Sequence, residues 1–276
     1  MQNKTVFLAS GGGFDNVSVA DGGEPPAPAA GEVTVRIRAS SLNFHDYGVV
    51  TGATAPKETR IPMADGAGEV TAVGAEVDEF SVGDPMVSTF FPNWLDGPPR
   101  LEGFATTPGD GVDGYAREKV YRPGDWPSPR APADYQHMPR RRRLSHCGRM
   151  SDSPWVASKD RSGLTGGQGV DHVVEVGGPG TLEQSMRACR VGGHIAVIGV
   201  LTGVKGDFPL RFALMRQLRL DAVLVGSRQH QMQLVDALEA SEIRPVIDRH
   251  FPLEELVEAF RHEESGRHFG KICLDI

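Results

Sequence analysis

The stretch DHVVEVGGPGTLEQSMRACRVGGHIAVIGV, residues 171–200, decides the fold. Two apolar runs that end in glycine, DHVVEVGG and GGHIAVIGV, flank a segment whose apolar residues recur every three to four positions. Continuous apolar runs are typical of strands buried on both faces of a parallel sheet, and the spacing between them is typical of an amphipathic helix. The stretch therefore predicts a β-α-β unit with a right-handed crossover.

The same alternation continues toward the C-terminus. A helical pattern, PLRFALMRQLR, leads into a third apolar run, LRLDAVLVGS, and a further helical pattern, QHQMQLVDALEAS, follows it. Strands that alternate with helices predict an α/β fold with a doubly wound parallel sheet. The tail adds one more helix, LEELVEAFRHEES, a turn at Gly266 and a final strand, KICLDI.

The first 125 residues or so have a different pattern. Short β segments are separated by Gly, Pro and Asp: TVFLAS, EVTVRIRAS, AGEVTAVG, PMVSTF and YAREKVY. In the second segment Val33, Val35 and Ile37 alternate with polar residues, which predicts one buried face and one exposed face. No helical pattern of any length interrupts this part. It predicts a small, irregular barrel or sandwich.

Composition excludes several classes of protein. The chain has 276 residues and a net charge of -7, which argues against a binder of nucleic acids or membrane surfaces, since phosphate contacts require a basic excess. No apolar run reaches the length of a membrane span, and the N-terminus lacks the pattern of a signal peptide. The three cysteines, Cys147, Cys189 and Cys273, are odd in number and far apart, so we expect no disulfide framework and a cytoplasmic protein.

Glycines end the apolar runs where a ligand site is expected. In open parallel sheets, ligands bind beyond the carboxyl ends of the strands, and these ends carry Gly177, Gly178 and Gly199, the last followed by Val200 and Leu201. Glycine there lets the backbone approach a ligand, with amide N–H groups free to bind it. The same glycines could instead only close tight turns between strand and helix. The residues alone leave both interpretations open.

The motifs of the common nucleotide and metal sites are absent from the sequence. The fingerprint G-x-G-x-x-G, which holds a pyrophosphate at a helix N-terminus, does not occur. The nearest match begins at Gly178 and Gly180 but has Glu183 at the third glycine position. No Walker loop, G-x-S-x-G or H-E-x-x-H occurs either, and the histidines and cysteines lack zinc-ligand spacing. The sequence therefore predicts no metal site.

Several segments together resemble one known family. They are SLNFHDYGVVTG, PMADGAGEVTAVGAEVDEFSVGDPMV, GVDGYAREKV, GVDHVVEVGGPGTL, GGHIAVIGVLTG and HFGKICLDI. In this order they resemble the zinc-independent, quinone-oxidoreductase-like branch of the medium-chain dehydrogenase/reductases, over residues 1–137 and 164–276. The resemblance implies a GroES-like β-barrel catalytic domain in 1–137, completed by 251–276. It also implies a Rossmann sheet, of which 164–250 would be the remaining half.

The resemblance also implies a function and a set of site residues. Members transfer hydride between NADP or NAD and a small-molecule quinone, enone or carbonyl/alcohol. Asn43 stands where the zinc-dependent branch has a cysteine ligand, which implies no catalytic zinc. Asn43 and Asp46 would lie beside the nicotinamide as catalytic residues, and Lys271 would approach the cofactor. The other implied cofactor contacts are Gly177, Gly178, Gly199, Val200 and Leu201.

Each of these polar residues also has a structural interpretation. Asn43 and Asp46 could simply tie the turn before YGVV, because Asn and Asp bond local backbone readily. Lys271 could equally be a solvated surface lysine. The sequence identifies no Ser, His or Tyr as a proton donor.

A run of four arginines departs from the family. After Tyr135-Gln-His137 the chain reads Met-Pro-Arg-Arg-Arg-Arg-Leu, where members usually continue A-E-A-A-T-L. If the stretch is encoded AUG CCG AGG CGG CGA CGC UUA, reading from its third base gives Ala-Glu-Ala-Ala-Thr-Leu. We therefore interpret the arginines as the mark of a frameshift. A basic patch for nucleic acid is the alternative, which the acidic net charge and the lack of stacking aromatic residues disfavour.

The frameshift hypothesis has consequences for structure and function. Residues 138–163 would be an aberrant linker replacing the first Rossmann half, roughly 60 residues at about 30 per βαβ unit. The strand DHVVEV would then be an uncovered edge, through which two chains could form a homodimer. Binding of NADP or NAD would be weak. We expect an impaired oxidoreductase, with a catalytically inactive remnant that self-associates or only binds other molecules as the alternative.

Overall fold

The computed structural model describes residues 3–121, 135–137, 165–241 and 244–276. The chain divides into two compact units, one formed by 1–150 with 227–276 and the other by 151–226. The predicted linker at 138–163 lies outside the described residues. In chain order the described strands are β1 (Lys4–Leu8), β2 (Val17–Asp21), β3 (Val33–Ser41), β4 (Ala67–Val73), β5 (Pro85–Ser88), β6 (Lys119–Tyr121), β7 (Tyr135–His137), β8 (Val170–Glu175), β9 (Cys189–Val197), β10 (Arg219–Ala222), β11 (Ile247–Pro252) and β12 (Lys271–Asp275).

Helices connect some of these strands. The described α-helices are α1 (Phe44–Thr51), α2 (Pro179–Ala188), α3 (Leu210–Arg216), α4 (Arg228–Ser241) and α5 (Leu256–Glu264). Short 3-10 helices lie at Phe14–Asn16, Leu101–Thr106 and Leu253–Glu255. Within the described ranges no helix has the length and apolar character that crossing a membrane requires.

A seven-stranded sheet organises the first unit. Its strands follow the order β11-β12-β3-β4-β5-β7, and β6 also pairs with β3. The alternation predicted for β3 is confirmed in part: Val33, Val35 and Ile37 are buried and Arg36 and Arg38 are exposed, but Thr34, on the face predicted to be exposed, is also buried. β3 pairs with β4 in an antiparallel register, in which Val35 lies opposite Val70. This strand is therefore the centre of the GroES-like barrel that the sequence predicts.

The last strand completes this sheet. In β12, Cys273 is the register partner of Ser41, and Leu274 that of Ser40, on the antiparallel neighbour β3. The helix α5 packs beneath it and buries Phe260 completely, in a cluster with Leu274. The pairing places the start of β12 beside the end of β3, which is where the polar residues described below meet.

The helix α1 was not predicted, and the absence of any helix in this part was wrong. Its first turn is fixed by the Asp46 carboxylate, which accepts a hydrogen bond from the backbone N–H of Asn43 at 3.2 Å. It ends at Gly52, whose φ of 94° lies in the left-handed region that glycine adopts readily. Eight residues containing two valines and a glycine give a weak helical pattern, so tertiary packing decides this element.

Three parallel strands form the sheet of the second unit. Their order is β10-β9-β8, with α2 following β8 and α3 following β9, so the predicted β-α-β-α-β sequence is confirmed. The third strand is shorter than its apolar run, because pairing with β9 ends at Ala222. By contrast, α4 lies with the first unit. Its first residue donates a hydrogen bond from the Arg228 N–H to the Trp94 carbonyl at 2.9 Å.

The apolar runs predicted that the strands of this sheet are buried on both faces, and this prediction is wrong. Both α2 and α3 contribute to one hydrophobic cluster, together with Val173, Ile195 and Val197 on one face of the sheet. Residues of the opposite face alternate with these, and among them Val174 is 66% exposed. We call this opposite side the open face and define it by His172, Val174 and His194. The prediction failed because a sequence pattern does not show on which side the crossover helices pack.

Candidate functional site

A buried polar cluster lies at the start of α1. The Asn43 side-chain amide donates hydrogen bonds to the Asp65 carboxylate at 2.8 Å and to the Asp46 carboxylate at 3.0 Å. Asp46 also accepts a hydrogen bond from the backbone N–H of Ala64 at 2.7 Å. Asn43 and Asp46 are both buried. One amide therefore holds together two carboxylates, the buried one of Asp46 and the partly buried one of Asp65.

Lys271 adds a positive charge to this cluster. Its ammonium group donates to the Leu42 carbonyl at 2.5 Å and to the Asn43 side-chain oxygen at 3.2 Å. The residue is 6% exposed, so the alternative of a solvated lysine is wrong. It reaches the cluster because β12 pairs with the end of β3. A buried lysine is stable only where charge and hydrogen bonds compensate its lost hydration, and this cluster supplies both.

The environment of Asp46 changes its protonation. The pKa of this carboxyl is raised from its usual value to about 7, chiefly by burial and secondly by the neighbouring Asp65 carboxylate. The hydrogen bonds from Asn43 and Ala64 and the charge of Lys271 act in the opposite direction and lower the pKa. A carboxyl with a pKa near neutrality can hold or release a proton under physiological conditions, as a general acid or base must.

Two interpretations of Asn43 and Asp46 were left open, namely tying the local turn and lying beside a nicotinamide. The contacts made here are those of the turn-tying interpretation, since both side chains bond local backbone and each other. The Ser41 carbonyl, for example, accepts from the Asn43 amide at 3.2 Å. A role beside a nicotinamide stays a prediction for both residues and for Lys271.

Sequence reasoning missed two residues of this cluster. Asp65 lies in the PMADGAGEV segment, and its carboxylate accepts from the Ser41 backbone N–H at 3.1 Å. The Ser40 hydroxyl also donates to the Asp65 backbone carbonyl at 2.8 Å. The available signal was an acidic residue flanked by small residues immediately before a strand. Its partner on another strand could not be read from spacing alone.

In the second unit, a carboxylate accepts hydrogen bonds from backbone N–H groups that the sequence predicts to be free. Glu175, the last residue of β8, accepts from the N–H of Gly177 at 2.7 Å and from that of Gly178 at 2.9 Å. The same carboxylate accepts from the Thr181 hydroxyl at 2.6 Å and from the Ser185 hydroxyl. The prediction that these amides are free to bind a ligand is therefore wrong. Glu175 was missed, although it is the acidic residue within an otherwise apolar run.

The glycines themselves close tight turns. Gly178 has a φ of 82°, and a Cβ on Gly199 would lie 2.3 Å from the Val176 carbonyl oxygen. Both positions therefore require glycine for a conformational or steric reason. Val200 and Leu201, which follow, are 41% and 44% exposed. Contact of these residues with a cofactor stays a prediction.

A dinucleotide requires a site for its pyrophosphate, and the described residues do not fit one. The N-terminus of α2 follows a pair of glycines, as a phosphate site would, but the backbone N–H groups of these two glycines are bound by Glu175. A fixed carboxylate at that point repels a phosphate, because both are anions that compete for the same N–H groups.

The described residues show no grouping of three or more His, Cys, Asp or Glu side chains that could hold a metal ion. In the same part of the chain, Cys189 and Cys273 are both free and buried. Burial raises the pKa of the Cys273 thiol to about 11, which keeps it protonated and unreactive. The absence of a catalytic zinc at Asn43 stays a prediction.

Comparison with known protein families gives two matches along the chain. Residues 29–129 match the alcohol dehydrogenase GroES-like domain, and residues 151–274 match the zinc-binding dehydrogenase family. A zinc-type alcohol dehydrogenase-like protein of Schizosaccharomyces pombe is 26% identical over 336 aligned positions, covering 96% of each chain. Chloroplastic quinone-oxidoreductase QR1 of Triphysaria versicolor is 39% identical over 67 residues, which are 23% of this chain and 20% of that one.

The alignment with the Schizosaccharomyces pombe protein is longer than this chain. It spans 336 positions, whereas this chain has 276 residues, so at least 60 positions of the yeast protein lie opposite gaps. The yeast protein therefore contains residues without a counterpart here, in a number that agrees with the segment predicted to be missing.

Solved structures show the same fold. A putative alcohol dehydrogenase from Sinorhizobium meliloti 1021 superposes with a TM-score of 0.82 at 24% identity, covering 100% of both chains. An NAD-dependent alcohol dehydrogenase superposes with a TM-score of 0.79 at 24% identity, covering 99% of both. A quinone oxidoreductase of Pseudomonas syringae pv. Tomato DC3000 gives 0.71 at 18% identity, covering 99% of this chain and 100% of that one. With a GroES-like barrel, a parallel Rossmann-type sheet and family matches on both, the chain belongs to the medium-chain dehydrogenase/reductase superfamily, whose members are alcohol dehydrogenase-like and quinone oxidoreductase-like enzymes.

Proposed function

We propose that this chain is an NAD(P)H-dependent oxidoreductase that transfers hydride between nicotinamide and a quinone, an enone or a carbonyl/alcohol pair, with impaired turnover. The activity is supported by membership of the superfamily together with the buried cluster of Asn43, Asp46, Asp65 and Lys271. The impairment is supported by the second unit, where the donors at the start of α2 are bound by Glu175. We infer that the substrate side is retained, whereas the described residues provide no phosphate side.

The chain's own residues contribute positioning and a proton. Asn43 is fixed by four partners, so its amide cannot rotate without breaking bonds to Asp46 and Asp65. Asp46 can exchange a proton near neutral pH, for the reasons of burial and charge given above. Both residues are held by secondary structure at the end of β3 and the start of α1, which keeps their geometry rigid.

The cofactor side explains the impairment. When bound, NAD(P)H would supply the hydride, and dinucleotide sites hold its phosphates at a helix N-terminus. Without those contacts, only the nicotinamide side can hold the cofactor. The reaction would then proceed from a weak encounter complex, so the rate would rise with cofactor concentration rather than reach a plateau.

Turnover measurements test this proposal. We expect oxidation of NADPH or NADH in the presence of a quinone, an enone or an aldehyde to be slow and proportional to cofactor concentration up to the millimolar range. Asp46→Asn should lower that rate, whereas Asp78→Asn, at an exposed position of the same unit, should leave it unchanged. Saturation at micromolar cofactor would contradict the impairment. Absence of turnover with all three substrate classes would contradict the activity itself.

One observation favours the second candidate, an inactive remnant that self-associates. Among the described strands β8 pairs with β9 alone, so its other edge presents backbone groups that a second copy could bind. On the same strand Val174 is 66% exposed on the open face. An exposed apolar strand at a sheet edge is a common site of strand addition between chains.

Light scattering after size-exclusion chromatography distinguishes this candidate. We expect dimers or larger species whose share rises with protein concentration, and Val174→Lys should reduce that share because charged side chains block edge pairing. Val204→Lys is the matched control, since Val204 is 79% exposed but lies in a loop outside the sheet. A monomer at every concentration, or equal effects of the two variants, would eliminate association through β8.

A further inference from the structure

Two histidines stand side by side on the open face of the second unit. His172 on β8 and His194 on β9 are register partners in neighbouring parallel strands, so their side chains leave the sheet on the same side. Their Nδ1 atoms lie 3.3 Å apart, and their rings meet edge to face. Solvent reaches both side chains, because neither α2 nor α3 packs against this face.

The distance between the two nitrogens matches the distance between two nitrogen ligands of one metal ion. Two nitrogens bound to one tetrahedral zinc at about 2.0–2.1 Å lie about 3.3–3.4 Å from each other. The two imidazoles therefore need little movement to share a cation. They are already fixed by the register of β8 and β9, so the entropy lost on binding is small.

A carboxylate on the third strand orients one of the imidazoles. The Nε2 atom of His194 lies 2.9 Å from the Asp221 carboxylate. If this nitrogen donates its hydrogen to the carboxylate, the Nδ1 atom of a neutral ring keeps its lone pair for a ligand. A carboxylate behind a metal-binding histidine has this role in many proteins and raises the basicity of the ring.

We propose that His172 and His194 form a binding site for a divalent transition-metal ion, with Asp221 as the residue that orients His194. Imidazole ligands select Cu²⁺, Ni²⁺ and Zn²⁺ over Mg²⁺ and Ca²⁺, which prefer oxygen. The described residues offer two protein ligands, so water completes the coordination shell. The site uses none of the residues of the polar cluster and none of the glycines predicted to contact the cofactor.

Titration calorimetry on the tag-free, metal-stripped full chain tests the site with CuCl₂, NiCl₂, ZnCl₂ and MgCl₂. We expect about one Cu²⁺, Ni²⁺ or Zn²⁺ ion per chain, with Cu²⁺ the tightest and Mg²⁺ not bound. His172→Gln and His194→Gln should each abolish the heat of binding. Asp221→Asn should weaken the affinity by about tenfold or more, since it removes the orienting carboxylate.

His250 supplies the matched control. Its Nδ1 atom lies 2.9 Å from the Asp275 carboxylate, so it is another exposed histidine–aspartate pair, and the described residues place no second imidazole nitrogen within hydrogen-bond distance of it. His250→Gln should leave the titration unchanged. Electron paramagnetic resonance of the Cu²⁺ complex should show two coupled imidazole nitrogens in the parent chain.

The proposal is overturned by any of three results. The first is the absence of binding by the correctly folded parent chain, which would mean that the two rings share only a hydrogen bond. The second is undiminished binding by His172→Gln and His194→Gln, which would place the ion elsewhere. The third is a Cu²⁺ spectrum with a single coupled nitrogen.

Discussion

Asp46→Ala should lower the free energy of unfolding more than most single substitutions in this chain, by about 3–5 kcal/mol. The Asp46 carboxylate is buried and accepts hydrogen bonds from the Ala64 N–H and from both the backbone and side-chain nitrogens of Asn43. Each buried donor left without a partner costs about 1–3 kcal/mol. Chemical denaturation measures the loss, and Asp78→Ala, at an exposed position, should change stability by less than about 0.5 kcal/mol.

The pH dependence of stability identifies the same carboxyl. Its pKa is about 7 in the folded protein, against an ordinary value of 3.8, so between those values the folded state holds a proton that the unfolded state has released. Stability should therefore fall as the pH rises through this interval, by at most about 1.4 kcal/mol per pH unit from this group. Asp46→Ala should remove that part of the slope. An unchanged slope, or a loss of stability no larger than that of Asp78→Ala, would contradict the role assigned to Asp46.

Glu175→Ala should destabilise the second unit by a similar amount, about 3–5 kcal/mol. The Glu175 carboxylate accepts from the N–H groups of Gly177 and Gly178 and from two hydroxyls. Without it, these donors at the turn between β8 and α2 lose a charged acceptor, and charged hydrogen bonds are the stronger ones. Hydrogen exchange should show lost protection in residues 170–197, while β3 in the first unit stays protected.

Glu183→Ala is the matched control for this second prediction. Glu183 lies on α2 as well, but it is exposed and pairs with Arg187 one turn away, an interaction worth less than about 1 kcal/mol. It should leave protection in residues 170–197 nearly unchanged. Equal effects of the two variants would show that the Glu175 carboxylate does not fix this turn.

The elements that the sequence predicts well are those with a local physical cause. The apolar runs around Val173 and Ile195 predict parallel strands because such runs have few other stable placements. The alternation at Val33, Val35 and Ile37 predicts the buried face of β3 for the same reason. Nearest neighbours along the chain are enough to indicate the strands in the first case and the buried residues in the second, but they do not indicate the exposure of Val174 on the open face.

The elements that were missed depend on contacts between distant residues. The helix α1 has too few turns for a clear pattern, and it is held by Asp46 and by the packing of Val49 and Val50. Lys271 and Asn43 are 228 positions apart and meet only because β12 pairs with β3. Glu175 shows the opposite case. Its acidic side chain within an apolar run was a visible signal of a buried polar role.

Binding of the free cofactor tests the central claim most directly, namely that the described residues of this chain contain the polar cluster of Asn43, Asp46, Asp65 and Lys271 but no site for a pyrophosphate. The measurement is a titration of the purified full chain with NADPH and with NADH, in which binding is monitored by calorimetry and by nicotinamide fluorescence. The account predicts dissociation constants weaker than millimolar for both, since the amides of Gly177 and Gly178 are occupied by Glu175. Micromolar binding of either cofactor would contradict it.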